Sequence, residues 1–353
     1  MEGLDFILNG AAHGSVATKL LASNFNPNAL RPFIGKDNRT YMSLIRNGKL
    51  EAVPVNNAPA TLRKEDWLLL DEAVLKAAQP RLKLVGDLRA RGLQYTIPNG
   101  MGTTVFQTET MSDINDATIS MDGLRQGAND RPVFDLTNLP LPIIHKDFSI
   151  SARQLAASRN GGSPFDTSMA ELASRKVAEM IEKLAIGSLA TYNFGGGIIY
   201  GLTNRLGRLT QVLTSPASTG WVPKTLVTEV LEMMKTSQDS YHYGPWVLYI
   251  GTGWNQYMGE DYKDESDITL RERLLKLEGL EDVVTLDYLS GYQMVLLEMT
   301  TEVIREIIGM DVTSVQWETN GGMLLNYKVM AIMVPQLRLD SNSHTGIVHG
   351  NVA

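Results

Sequence analysis

The sequence predicts an α+β protein of two compact units with extended appendages. Three observations predict it: a long amphipathic helix pattern at 168–191, alternating helices and strands through 221–299, and a strand-rich stretch with little core of its own at 94–146. The length of 353 residues agrees, since domains run to roughly 150 residues each.

Residues 1–61 lack sustained periodicity and carry many Asn, Pro, Gly and Ala residues, as in NFNPNALRPF and VPVNNAPA. Such a segment rarely builds its own core. It is either a loose tail or an extended arm laid on neighbouring subunits. In the second case Phe25, Phe33 and Tyr41 are the contact residues, and removing 1–55 leaves a folded subunit that assembles poorly.

Residues 62–91 read as helix, with Trp67, Leu70, Val74, Leu75, Ala78, Leu82, Val85 and Leu88 at spacings of three and four. Thr61 suits the N-cap, Pro80 should kink or split the helix, and Gly92 suits its end. In 94–146, Asn99-Gly100 has hairpin turn chemistry, and Pro132, Pro140 and Pro142 argue against a central strand. A long two-stranded excursion results. An isolated ribbon is marginal in water, so burial against partners would stabilise it.

Next comes the strongest helix pattern. Ser168 and Glu171 have capping-box spacing. Met169, Leu172, Ala173, Val177, Met180, Ile181 and Leu184 form one apolar stripe. Continued to about Thr191, it would be roughly 35 Å long. A helix opening at Pro223 buries Leu226, Val227, Val230, Leu231 and Met234, and YGPWVLYIG reads as a buried strand. A short aromatic helix (Trp254, Tyr257, Tyr262), the helix LRERLLKLEGL and the strands VVTLDYL and YQMVLLEM follow. VTSVQWET and MLLNYKVMAIMVPQL flank Asn320-Gly321-Gly322, a hairpin turn. The end, 341–353, reads as an exposed polar tail.

Chemistry-bearing patterns are sparse. Without cysteine, disulfides and zinc–thiolate sites are excluded. The net charge of −7 argues against general nucleic-acid binding by bulk charge. A modestly basic stretch (Arg63, Lys64, Arg81, Lys83, Arg89, Arg91) could face DNA or be an ordinary charged surface. FGGGIIYG at 194–201 lacks the phosphate-loop pattern and reads as a tight turn. Asp113, Asn115, Asp116 and Asp122-Gly123 lack calcium-loop spacing. His13, His145, His242, His344 and His349 show no metal-binding spacing. No GxSxG elbow and no catalytic carboxylate pair stand out. No catalytic, metal or cofactor-binding residue is expected. No apolar run of about 18 residues exists, and the N-terminus lacks a basic secretory region.

Three collinear segments resemble the tailed-phage capsid and encapsulin family with the Hong Kong 97-type fold. They are LRKEDWLLLDEAVLKAAQPRL, then LPLPIIHKDFSISARQLAASRNGGSPFDTSMAELASRKVAEMIEKLAIGS, then YHYGPWVLYIGTGWNQYM. The resemblance covers about residues 62 to 338. It implies an N-terminal arm (1–61), an N-terminal helix (62–93), an E-loop (94–146), a peripheral domain (147–220 and 300–340, with a spine helix at about 167–191) and an axial domain (221–299). It implies a structural protein, not an enzyme, that assembles into pentamers and hexamers of an icosahedral phage head around double-stranded DNA. Separate scaffolding, portal and decoration proteins are implied partners, and the virion, assembled in host cytoplasm, is the implied location. The alternative is an encapsulin-like compartment around cargo enzymes; the 60-residue arm departs from encapsulins and favours the virion. Expected interface residues are Phe106, Ile119, Met121, Val133 and Phe134 in the E-loop, and Trp254, Tyr257 and Tyr262 in the axial domain.

Overall fold

The computed structural model of the chain describes residues 31–37, 39–46, 49–55, 62–111, 119, 121, 131, 134–160, 166–263, 267–340 and 343–352. Two units emerge. The first comprises 1–104, 141–183 and 306–334; the second comprises 105–140, 184–305 and 335–353.

In the first unit Lys64–Ala78 form helix α1 and Lys83–Ala90 form α2. Between them Gln79–Arg81 make a 3-10 turn, because Pro80 lacks the N–H that would continue the α-helix. Gly92 follows at φ +74, a left-handed conformation open to glycine. Arg63 stands at the N-cap of α1, its N–H donating to Asp66 at 2.9 Å; Thr61 lies outside the described residues. The buried face of α1 is Trp67, Leu70, Ala73, Val74 and Ala78. Leu75, expected on that face, is exposed, since it lies about 100° round the helix from Val74.

The segment before α1 is more ordered than its composition implies. Strands β1 (Phe33–Ile34), β2 (Thr40–Arg46) and β3 (Lys49–Pro54) form an antiparallel sheet in that order. Arg31 pairs with Asp71 and stacks 4.4 Å from the Trp67 ring, and the Trp67 indole N–H donates to the Pro32 carbonyl at 3.0 Å. From Arg31 onward, therefore, the expected arm is tied to α1 of its own chain.

Strand β4 (Gln94–Thr96) does not form a hairpin at Asn99-Gly100. It pairs in parallel with β14 (Ile304–Thr319), in a sheet ordered β4, β14, β15 (Leu324–Leu337), β7 (Ile144–Ser151). Asn99 holds a local turn by accepting the Gly102 N–H, and Gly100 is required because a Cβ there would meet the Gly309 carbonyl oxygen at 2.2 Å. The β14–β15 connection does turn at Asn320-Gly321-Gly322, all three at positive φ. Helix α3 spans Ala152–Asn160.

Helix α4 spans Ser168–Ile186, about 28 Å rather than 35 Å. Its cap sits one residue earlier than the spacing suggested: the Thr167 hydroxyl donates to Glu171, and the Asp166 carboxylate accepts the Ser168 N–H. The helix stops because Gly187 takes φ +88, and the Leu202 and Thr203 N–H groups satisfy the last carbonyls at 3.0 and 2.9 Å. Its buried face is built on small residues (Ala170, Ala173, Ser174, Ala178, Ala185) with Val177 and Ile181. Met169, Leu172 and Met180, expected inside, are exposed. Small side chains allow close approach: the Ser174 hydroxyl reaches the Val74 carbonyl at 2.6 Å.

The second unit centres on a five-stranded sheet ordered β10 (Leu209–Leu213), β16 (Ile347–Val352), β13 (Met294–Glu298), β11 (Trp246–Gly251), β12 (Leu280–Leu286). Helices α5 (Pro223–Asp239), α6 (Asn255–Met258) and α7 (Leu270–Leu275) accompany it. Pro223 opens α5 as expected, and Leu226, Val227, Val230, Met233 and Met234 are buried, while Leu231 is exposed. The exposed C-terminal tail is overturned. β16 runs parallel to β10 and antiparallel to β13, with Ile347 and Val348 fully buried. Its Gly, Asn and His residues disguised a strand whose neighbours supply every ladder partner.

The remaining strands form two ribbons: β5 (Val105–Met111) with β6 (Phe134–Pro140), and β8 (Tyr192–Phe194) with β9 (Gly197–Ile199). Gly195 and Gly196 turn the second at positive φ, and a Cβ on Gly197 would lie 2.3 Å from the Asn138 carbonyl oxygen. The glycine run is thus a turn seated against β6.

Candidate assembly surfaces

The β5–β6 ribbon turns one face to its own unit and the other to solvent. Directly opposed residues of an antiparallel pair share a face, and faces alternate along each strand. Thr108 opposes Thr137 and Thr110 opposes Asp135. These four line a pocket of about 220 Å³ with Tyr200, Arg205, Gln336 and Arg338 of the same unit. Gln336 donates to the Thr108 hydroxyl at 3.1 Å and accepts from Arg305, whose guanidinium lies 5.9 Å from the Phe106 ring. The other face carries Phe134 and Leu136, each 60% exposed. The inward face also holds Phe106 opposite Leu139, and the solvent face sets Phe134 and Leu136 beside the exposed Gln107 and Glu109, so two large apolar side chains stand in water there without cover from their own unit.

The expected interface residues divide accordingly. Phe134, Ile119 and Met121 are exposed. Phe106 is partly covered beneath Arg305, while Phe25 and Val133 lie outside the described residues. Phe33 is buried and stacks on Tyr41 at 5.9 Å, so it serves its own unit. Trp254 is corrected to a core residue: it is fully buried in a cluster with Trp221, Tyr257 and Tyr292. Tyr257 and Tyr262 are half-buried against the same core. Leu136, which sequence reasoning did not single out, is exposed, as are Met169, Leu172 and Met180 from the helix stripe. The signal for Leu136 was its two-residue spacing from Phe134; for the helix it was the alanine row marking the opposite face.

Among the basic candidates Arg63 and Lys64 are exposed, and Arg81 and Lys83 are half-buried. Arg89 contacts Glu306 and Asp311, each at 3.0 Å, and Arg91 contacts Asp87 at 3.0 Å. These last two charges are neutralised within the first unit, against the DNA-facing expectation.

Burial perturbs several ionisable groups. It raises the Glu306 carboxyl to about 7, outweighing Arg89. It lowers His349 to about 4, aided by the Arg208 charge. His242 is raised by its 2.6 Å hydrogen bond to Glu298. Among the described residues no cluster of three His, Asp or Glu side chains could hold a metal. The acidic stretch at 113–123 and His13 lie outside the described residues. No helix among the described residues is long and apolar enough to cross a membrane.

Known proteins share this arrangement. A 199-residue stretch is 27% identical to the type 1 encapsulin shell protein EncA of Myxococcus xanthus (strain DK1622), covering 56% of this chain and 63% of that protein. The match thus spans less than two thirds of that relative. The virus-like particle of Pyrococcus furiosus superposes with a TM-score of 0.58 at 16% identity, covering 82% of this chain and 99% of that one. The capsid of Myoviridae Phage XM1 superposes with a TM-score of 0.58 at 9% identity, covering 75% and 91%. The fold is the Hong Kong 97 type, that of phage capsid and encapsulin shell proteins. The sequence pattern of a family of unknown function, DUF6260, matches residues 56–350, and the chain belongs to that family.

Proposed function

We propose that this chain is a major capsid protein: copies join as pentamers and hexamers into an icosahedral virion head around double-stranded DNA. Phe134 and Leu136, exposed on the solvent face of the β5–β6 ribbon, carry the proposal, because another copy at a repeated contact would cover them in every subunit. Phe134, Leu136, Ile119 and Met121 act there. Met169, Leu172 and Met180 on α4, exposed in the same manner, are further contacts. In this reading 94–146 is the E-loop, 147–220 and 300–340 the peripheral domain, and 221–299 the axial domain. The pairing of β10 and β16 with β13 and β11 supports extending the axial domain to include them. Arg63 and Lys64, with Arg81 and Lys83, are the DNA-facing residues, and scaffolding, portal and decoration proteins are separate chains.

The encapsulin match favours one second reading, a compartment enclosing cargo enzymes. The expected arm, residues 1–61, supports the virion instead. Negative-stain microscopy of the expressed chain, with the 260/280 nm absorbance ratio of purified particles, tests both. Closed shells support the assembly; nucleic acid inside them selects the head, and a co-purifying enzyme without nucleic acid selects the compartment. A small, monodisperse oligomer rejects both.

A further inference from the structure

The pocket beneath the ribbon has a chemistry that shell formation does not require. Arg205 and Arg338 line it together with Tyr200, Thr108, Thr110 and Thr137, the Thr110 hydroxyl donating to the Asp135 carbonyl at 3.3 Å. Buried cations in folded proteins are normally paired, because desolvation penalises the lone charge. Neither guanidinium forms an ion pair with a carboxylate among the described residues. Arg205 Nε is fully buried with no hydrogen-bond partner, and its guanidinium is 4.9 Å from the Tyr200 ring. Burial accordingly draws its pKa down.

Two carboxylates also line the pocket. Asp340 is committed elsewhere: it accepts the His344 N–H at 2.7 Å and lies 3.8 Å from His242. Asp135 sits exposed on the ribbon, beyond ion-pair reach of either arginine among the described residues. Among the described residues the guanidiniums therefore make no direct ion pair, although two carboxylates share the lining. Planar N–H forks beside hydroxyl donors match an oxygen-bearing anion. At about 220 Å³ the space suits one small group rather than a nucleotide.

We infer that this pocket binds a small oxyanion, gripped by Arg205 and Arg338 and completed by threonine hydroxyls. The oxyanion has two possible sources: a free ion such as phosphate, or an acidic side chain from a second copy.

Melting temperatures of the full chain in sodium phosphate, sodium acetate and sodium chloride at matched ionic strength test this. Either oxyanion should raise the midpoint above chloride in the wild type. R205M should abolish the rise, while R205K and R338M should weaken apparent affinity by about tenfold, as loss of one charged hydrogen bond implies. A larger response to phosphate assigns a free ion; a larger response to acetate assigns an acidic side chain. Equal midpoints in all three salts would overturn the inference. So would an oxyanion rise of the same size in R205K and R338M, which keep the test valid if R205M does not fold. Particle formation plays no part in the readout, so this inference and the shell assembly can fail separately.

Discussion

Glu306 faces two opposing influences. Its side chain is 1% exposed and accepts the Arg89 Nε–H at 3.0 Å. Burial raises it to about 7 in spite of that cation, and Asp311 adds to the rise. For Arg89, burial works against the charge, but Glu306 and Asp311 prevail and hold it protonated. A carboxyl raised in the folded state stabilises below its unfolded value and loses that contribution as pH climbs through the folded one. Stability from this group should fall between about pH 5 and about pH 8 by roughly 3 kcal/mol. E306Q should flatten that slope in urea titrations at the two pH values; an unchanged slope would show that Glu306 does not titrate there. His242 behaves as a base raised by Glu298. Its contribution is complete below the ordinary histidine value of 6.5 and disappears as pH rises through the elevated one. E298Q should therefore lower the melting temperature more at pH 6 than at pH 8.5, and an equal drop at both would contradict this.

At the scale of elements, long-range caps hold the helices. Glu182 of α4 accepts the Leu84 N–H at 2.7 Å and the Val85 N–H at 3.5 Å, the second and third positions of α2. It does for α2 what a local N-cap side chain would do. E182A should cost about 2 kcal/mol, read as a shifted denaturant midpoint, and E182Q less. The C-terminal strand permits a sharper test. β10 has β16 as its sheet neighbour, and β13 loses one edge without it. Truncation after Gly346 should leave no soluble, cooperatively melting protein, whereas a dispensable tail would leave melting unchanged. Pro80, Pro223, Gly92 and the Asn320 turn were legible because each acts through its own backbone. β16 and the first three strands were not, since their pairing partners are remote in sequence. Asn47-Gly48, between TYMSLIR and KLEAVP, was the available hairpin signal there. The same contacts revise the outcome of removing 1–55. That deletion takes Arg31 and Phe33 from the first unit and should lower subunit stability as well as assembly.

For the molecule as a whole, the order of helix, ribbon, long helix and α/β unit was readable from the sequence, and the resemblance of three collinear segments implied the Hong Kong 97-type fold. The surface was less readable. Apolar residues at helical spacing were assigned to the interior, yet on α4 the alanines face inward and Met169, Leu172 and Met180 outward. Hydrophobicity alone cannot distinguish a core face from a face awaiting another copy, because both leave water on burial. Covering one large side chain contributes about 1.5–3 kcal/mol, so repetition of a few such contacts suffices for a shell. The sedimentation velocity of purified wild type beside F134D/L136D tests this most directly. The account predicts megadalton particles for the wild type, and slow-sedimenting subunits with an unchanged circular dichroism spectrum for the variant. Particles of equal size and yield from both would contradict it.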